Sequence, residues 1–243
     1  MNPGCVAPGR AAFRNKMPVY QLSEDLLFPS PHLATKEGLL AVGGDLSRKR
    51  LLLAYSLGIF PWYSDGEPIL WWSPDPRLVL YPNKMRVSKS LKKTIRREIF
   101  HVTMDQAFDQ VITECAAVRL ESNRGTWIVD DMIRAYCNLH ESGFAHSVET
   151  WSQGRLAGGL YGVSLGKCFF GESMFTRVTD ASKVAFVTLG RYLKALQFAF
   201  IDCQIATAHL KRFGAKEIPR ARYLKELKNA LAAPTLRGCW SFN

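Results

Sequence analysis

Three stretches, Ala145–Trp151 (AHSVETW), Arg155–Val163 (RLAGGLYGV) and Cys168–Phe175 (CFFGESMF), follow one another with only short turns at Gln153-Gly154 and Ser164-Leu165-Gly166. Apolar-rich runs of this length, bounded by glycine-containing turns, predict consecutive antiparallel strands. Helical patterns lie on both sides. Ile128–Ser142 reads as a helix stopped by Gly143, and a longer helix over about 181–197 precedes a further strand, Phe198–Gln204. Two short helices, Ala206–Phe213 and Ala221–Leu231, end the chain. Upstream, Ser88 starts a helix, Phe100–Thr103 is a strand and Asp105 caps the helix after it. Residues 20–80 differ in being rich in aromatic and turn residues. Their one legible helix starts at the N-cap Ser47, runs through Leu51, Leu52, Ala54 and Tyr55, and stops at Gly58. Phe60-Pro61-Trp62-Tyr63, a turn at Asp65-Gly66 and the short strand Ile69–Trp72 follow, and Pro74 and Pro76 mark a junction near 75–85. This order predicts an α+β protein. It has a disordered extension over 1–17, a small N-terminal domain over 18–80, and a domain over 81–243 with a mixed β-sheet flanked by helices.

At 243 residues, 47% hydrophobic and 22% charged, the chain has the composition of a folded globular protein and not of a disordered one. No apolar run of about 18 residues occurs and no long apolar stretch opens the chain, so a cytoplasmic protein without membrane attachment is expected. Arg10, Arg14 and Lys16, with no acid before Glu24, faintly resemble a transit peptide. Pro3, Gly4, Pro8, Gly9 and Pro18 would break its helix, so a disordered extension, or a start at Met17, fits better. The six cysteines lie at least 22 residues apart, which leaves no C-x-x-C pair and reads as reduced thiols. His140-Glu141 lacks the second histidine of a zinc-protease motif, and no metal is expected.

Lysine and arginine exceed the acids by 11, and the excess is local. Residues 84–98 carry seven basic and one acidic side chain and residues 202–243 eight and three, whereas the other two stretches nearly balance. That distribution fits a polyanion footprint on a folded body. In the first segment Lys89, Lys92, Lys93, Arg96 and Arg97 recur at helical spacing on one face, with Leu91, Ile95 and Ile99 as a separate docking stripe. Like charges so spaced repel by a few tenths of a kcal/mol per pair. Nucleic-acid phosphates would offset that cost through counterion release; a solvated surface helix is the other reading.

Two acids stand out. Glu172 lies among Phe169, Phe170, Met174 and Phe175, and Asp202 follows Phe200-Ile201, with Gln204 at i,i+2 on the same strand face. Buried carboxylates need partners, either a structural Arg or Lys or a cationic substrate group that both would bind. Phe60-Pro61-Trp62, bounded by turns, reads as pocket lining rather than as a core strand. Gly162–Gly166 (GVSLG) has the spacing of a nucleophile elbow, but a strand follows where a helix is required, so Ser164 reads as a hairpin-turn residue. Gly166-Lys167-Cys168 falls short of a P-loop, since Gly162 is too close and Cys stands for Ser or Thr.

These motifs carry a resemblance. Gly38–Ser47 (GLLAVGGDLS), Gly58–Tyr63 (GIFPWY), Trp71–Pro74 (WWSP), Gly125–Ile128 (GTWI), His146–Glu149 (HSVE), Phe169–Phe175 (FFGESMF), Ile201–Gln204 (IDCQ) and Ile218–Arg220 (IPR) share their order with one family. Over about residues 18–227 the chain resembles the leucyl/phenylalanyl-tRNA–protein transferases. The resemblance implies transfer of Leu or Phe, and also Met, from aminoacyl-tRNA to the N-terminal α-amine of proteins beginning with Arg or Lys. Such transfer marks them for N-degron-dependent degradation. It also implies a GNAT-like acyltransferase fold for the larger domain, no cofactor and no covalent enzyme intermediate. By the same resemblance Phe60, Trp62, Trp127, Phe169, Gly171 and Met174 would form an apolar pocket for the transferred side chain and the tRNA's 3′ adenosine, with Ile201 also at the substrate. Glu172 and Asp202 would meet the cationic acceptor, Gln204 the reacting amine, and Lys89, Lys92, Lys93, Arg96 and Arg97 the tRNA. Asp202 could equally orient Gln204, and both roles stay open. Departures from the family fall at Lys89 and Lys92, where relatives often carry Arg, and at Thr176, Gln197 and Arg212-Phe213; none is an implied catalytic residue. A monomer is expected, since no hydrophobic seam demands a dimer.

The chemistry asked of such a site is modest. The donor is an activated ester, and an α-amine of pKa about 7.7–8.0 is roughly one tenth unprotonated at pH 7. Positioning, mild proton acceptance and carbonyl polarisation then suffice. Gln204 is too weak a base to keep the proton, which the 3′-terminal ribose could pass on. An apolar pocket gains about 0.8 kcal/mol per methylene, which favours Leu, Met and Phe over Ala without ranking them. One rival is an acetyl-CoA-dependent acetyltransferase, whose pyrophosphate loop R/Q-x-x-G-x-G/A has its nearest counterpart in Arg155–Leu160, which ends in Leu. The other is a non-enzymatic RNA-binding protein, which would need no acidic acceptor site.

Overall fold

The computed structural model describes residues 19–121 and 126–242. The extension over 1–17 and Gly125 of the GTWI string lie outside the described residues. The chain builds two sheets. Strands β1 (Tyr20–Leu22), β2 (Leu39–Gly43), β3 (Phe60–Pro61) and β4 (Leu70–Trp72) form the first, in the order β1-β2-β4-β3. Helix α1 (Arg48–Ser56) joins β2 to β3; the Ser47 side chain accepts the Arg50 N–H at its start, and Gly58 turns the chain at its end with φ 73°.

The second sheet has β5 (Arg77–Leu80), β6 (His101–Met104), β7 (Ala145–Ser152), β8 (Arg155–Leu165), β9 (Cys168–Thr176), β10 (Phe200–Asp202) and β11 (Lys216–Ile218). Their order across the sheet is β11-β5-β10-β9-β8-β7-β6. The three stretches that reveal the sheet in the sequence are its antiparallel centre. Strand β10 runs parallel to β9, to which α5 (Ala181–Ala195) connects it, so the sheet is mixed. Helices α3 (Phe108–Glu121), α4 (Asp130–Glu141) and α7 (Arg220–Leu231) share one apolar core with the first sheet. The other core holds α5, Leu91 of α2 (Lys89–Arg96) and Trp240. The remaining helix is α6 (Ala208–Arg212). This is an α+β protein with a small N-terminal part and a larger part built on a mixed sheet.

Several local readings shift. Arg77–Leu80, in the stretch that Pro74 and Pro76 mark as a junction, is a strand buried along its whole length, so no alternation reveals it. It pairs in the second sheet with β10 and β11. Asp105 does not cap α3. Its carboxylate accepts the Ser147 N–H at 2.8 Å and the Trp240 N–H at 2.6 Å and lies 2.8 Å from His146 Nδ1, which ties the C-terminal tail to the sheet. Ser164 belongs to β8, opposite Phe169, and the turn falls at Gly166 and Lys167. Ile99 lies past the end of α2 and is 52% exposed, so of the three apolar residues only Leu91 and Ile95 pack the helix against the core.

Candidate active site

Strands β9 and β10 pair only as far as Phe170 and Asp202; there β10 ends while β9 continues to Thr176. The strands part, and a cavity of about 360 Å³ fills the gap, within the range of small-ligand sites. Phe169, Gly171 and Met174 of β9, Ile201 of β10, Phe60 of β3 and Trp62 just beyond it, Trp127 ahead of α4, and Phe186 and Leu189 of α5 line it. The walls are largely apolar because the cavity opens where the two hydrophobic cores meet.

A β-bulge sets the acid into this wall. Gly171 faces Gly162 on β8 and Ser173 faces Tyr161, which leaves Glu172 as an extra residue without a partner. The alternation changes phase there, so Phe170 and Phe175, five residues apart, join the same core. Opposite the bulge only glycine fits, since a Cβ at Gly162 would lie 2.2 Å from the Phe170 carbonyl oxygen and 2.6 Å from the Phe169 ring.

Glu172 is 8% exposed. Tyr55 donates to its Oε1 at 2.8 Å, Tyr136 to its Oε2 at 3.1 Å, and the Gln204 amide nitrogen to Oε1 at 2.9 Å. The two hydroxyl oxygens also touch each other. Each has one proton, so all three contacts are filled as hydrogen bonds only when Glu172 is protonated, and while both donate to the ionised acid neither donates to the other. Among the described residues no Lys or Arg forms an ion pair with it. Burial pushes its pKa up to about 7 against the pull of the two hydroxyls, while nearby Asp202 raises it and Arg77 lowers it.

Asp202 has the opposite surroundings. Its side chain is fully buried and pairs with Arg77 through Nε at 2.9 Å and a terminal nitrogen at 2.7 Å. Tyr223 donates to it at 2.7 Å, and the backbone N–H of Gln204 at 2.9 Å. The Arg77 guanidinium lies over the Phe60 and Tyr223 rings, 4.7 and 4.6 Å from their centroids. Burial would lower the Arg77 pKa, and the Asp202 carboxylate more than reverses this. Gln204 does not share a strand face with Asp202, because β10 has ended and Gln204 turns with φ 59°. The Asp202 carboxylate closes that turn by accepting a backbone N–H two residues on.

Phe60, Trp62, Trp127, Phe169, Gly171, Glu172, Met174, Ile201 and Gln204 therefore line one cavity. Asp202 does not line it; it is sealed between Arg77 and Tyr223. Lys89, Lys92, Lys93, Arg96 and Arg97 are all exposed on and just after α2, which Ser88 caps, and among the described residues none of them forms an ion pair. Tyr55, Tyr136, Arg77 and Tyr223 escape a reading of the sequence. The tyrosines sit on apolar helix faces as core residues do, and their one signal is that a buried hydroxyl needs a partner. Among the described residues no group of three or more His, Cys, Asp or Glu side chains could hold a metal ion, and no helix is long and apolar enough to cross a membrane.

Residues 79–228 match the leucyl/phenylalanyl-tRNA protein transferase domain, and residues 44–75 match its N-terminal domain. The leucyl/phenylalanyl-tRNA–protein transferase of Desulfatibacillum aliphaticivorans is 60% identical over 225 residues, covering 93% of this chain and 97% of that protein. The corresponding transferase of Desulforapulum autotrophicum is 56% identical over 226 residues, 93% and 99% of the two chains. Among solved structures, the C-terminal domain of a putative lysylphosphatidylglycerol synthetase from Agrobacterium fabrum aligns over 66% of this chain and 52% of that one. Its TM-score is 0.38 and its identity 12%, too distant to establish a shared fold. With both domain matches in sequence order and relatives at this identity over nearly their full length, the chain belongs to the leucyl/phenylalanyl-tRNA–protein transferase family.

Proposed function

We propose that the cavity joins the ester of an aminoacyl-tRNA to the N-terminal amine of a protein that begins with Arg or Lys, transferring Leu, Phe or Met. Glu172 carries this reading: a buried carboxylate in a largely apolar wall, held by two hydroxyls and an amide, with no ion pair to it among the described residues. A guanidinium or ammonium brought by the acceptor completes its surroundings. Phe169, Met174 and Ile201 take the donor's side chain, and Trp62 and Trp127 offer aromatic faces to the terminal adenine.

Gln204 gives its NH₂ to Glu172 and keeps its amide oxygen to accept an N–H of the attacking amine. The amine nitrogen bonds to the ester carbonyl carbon, the bond from that carbon to the ribose oxygen breaks, and the amine's proton leaves with that oxygen. The products are a peptide bond and a tRNA with a free 3′-terminal hydroxyl. Asp202 acts through Gln204, since its oxygens are occupied by Arg77, Tyr223 and the Gln204 backbone. The α2 cations take the tRNA phosphates. Parallel β9 and β10, joined by α5 and parting at the reacting centre, support a GNAT-like reading of the larger part. Cytoplasm, where charged tRNA resides, is the matching compartment, and the tagged product would enter N-degron-dependent degradation.

Incubation with Leu-tRNA and an Arg-initiated peptide tests the reading, and failure to form the Leu-Arg product with folded enzyme at low salt would sink it. Glu172→Gln should cut transfer while leaving tRNA binding intact; an equal loss of both would mark Glu172 as merely structural. Binding of acetyl-CoA would favour the acetyltransferase rival.

A further inference from the structure

The two basic segments, more than a hundred residues apart in sequence, meet in the fold. The Arg86 N–H donates to the Phe213 carbonyl at 2.8 Å, so the lead into α2 lies against the end of α6. Phe213 packs edge-on against Phe186 of α5, with ring centroids 5.1 Å apart, and against His209, 5.3 Å away. Helix α2 is tied to the start of α5 where Thr94 donates to Asp180 at 3.3 Å, and Asp180 pairs with Lys183 at 2.6 Å. The charge of Lys183 is thus locally offset. Arg86 and Arg212 are exposed, and among the described residues neither forms an ion pair.

His209 lines the same cavity as Glu172 and Gln204. Its Nε2 is buried and has no hydrogen-bond partner among the described residues, an unmet demand that folded proteins seldom leave open. Burial, and then the neighbouring Lys183 and Arg212 charges, hold its pKa below the ordinary histidine value, so the ring is neutral at pH 7 and has an N–H to donate. Exposed arginines leading to a cavity-lining histidine that has an unsatisfied ring nitrogen fit a ligand that is anionic along its length and ends inside the cavity.

We propose that Arg86 and Arg212 extend the phosphate track of α2 to the cavity rim, and that His209 receives the 5′-phosphate of the tRNA's terminal adenosine. The proposal rests on the transfer reading above and specifies how the donor enters. Two small donors test the inner end: 3′-leucyl-adenosine with and without a 5′-phosphate, offered with an Arg-initiated peptide. Wild type should prefer the phosphorylated donor by about tenfold, the scale of one hydrogen bond to a charged group. His209→Leu should erase that preference while still using the unphosphorylated donor, and His209→Gln, which keeps an N–H, should restore part of it. For the outer end, Arg86→Glu with Arg212→Glu should lower the slope of log Kd for tRNA against log salt by about 0.7 per arginine without shifting Tm. Arg134→Glu, the same charge change on α4, should leave the slope alone. An altered slope without any transfer product would sink the transferase reading and leave this track standing. Transfer with an unchanged slope and an unchanged donor preference would overturn the track alone.

Discussion

Tyr55→Phe removes a hydroxyl that donates to Glu172 at 2.8 Å and leaves the ring in place. That hydrogen bond favours the ionised carboxylate, so its loss raises a pKa that burial has already pushed up to about 7. A hydrogen bond to a charged group is worth about 1.5–3 kcal/mol. With Tyr136 and Gln204 still donating, the lower end applies, equivalent to about one pH unit. If ionised Glu172 receives the acceptor's cation, kcat/KM for an Arg-initiated peptide rises with pH through about 7 in wild type and about one unit higher in Tyr55→Phe. The acceptor's α-amine titrates nearby, at about 7.7–8.0, but identically with both enzymes, so the displacement between the curves belongs to Glu172. Initial rates with pre-charged Leu-tRNA, taken over about pH 5.5 to 8.5, read it. Stability provides a second measure. Between 4.5 and about 7 the folded protein keeps a proton on Glu172 that the unfolded chain has lost. Stability from this group is therefore full below 4.5 and falls as pH rises through that window, by about 3 kcal/mol. Glu172→Gln should remove that part of the slope in urea melts. Coincident rate profiles for wild type and Tyr55→Phe would refute the reasoning about Glu172.

Arg77→Met strips the cation from a fully buried carboxylate at Asp202 and should cost about 3–5 kcal/mol in urea unfolding. Tyr223→Phe, which removes one hydrogen bond to the same carboxylate, should cost less, about 1.5–3 kcal/mol, and the reverse ranking would contradict the pairing described. Gly171→Ala should fold normally, since its Cβ would meet only the Asp202 carbonyl oxygen at 3.5 Å and Ile201 at 3.9 Å. The added methyl enters the cavity, so use of Phe-tRNA should fall about tenfold relative to Leu-tRNA; an equal loss for both would show that it does not reach the donor. Lys92→Glu with Arg96→Glu should weaken tRNA binding and flatten its salt slope by about two, and an unaltered slope would remove α2 from the tRNA surface.

The legible parts of the fold are those whose causes are local. Strands β7, β8 and β9 are long and joined by glycine turns, and α1 and α2 begin at serines that do cap them. The strands β5 and β11 are short and carry no period, so only their pairing reveals them. In the site, the motifs and the resemblance pick out the aromatic lining, Glu172 and Gln204. They do not distinguish the two acids, each of which reads as a carboxylate among large apolar side chains. The distinction lies in Arg77, 125 residues from Asp202, and in a bulge that no composition announces.

By itself the sequence determines the central strands, the cationic face of α2 and the cluster of motifs that belongs to the family. Tertiary structure alone decides that Asp202 is neutralised by Arg77 while Glu172 keeps only hydroxyl and amide partners. It also decides that the cations of residues 84–98 and 202–243 adjoin at Arg86 and Phe213. Caps, turns and periodicity depend on neighbours within a few residues, whereas which charge meets which carboxylate depends on strand order across the sheet. That order places β5 beside β10 and ends β10 where β9 continues, and so opens the cavity with one acid on its wall and the other sealed away from it.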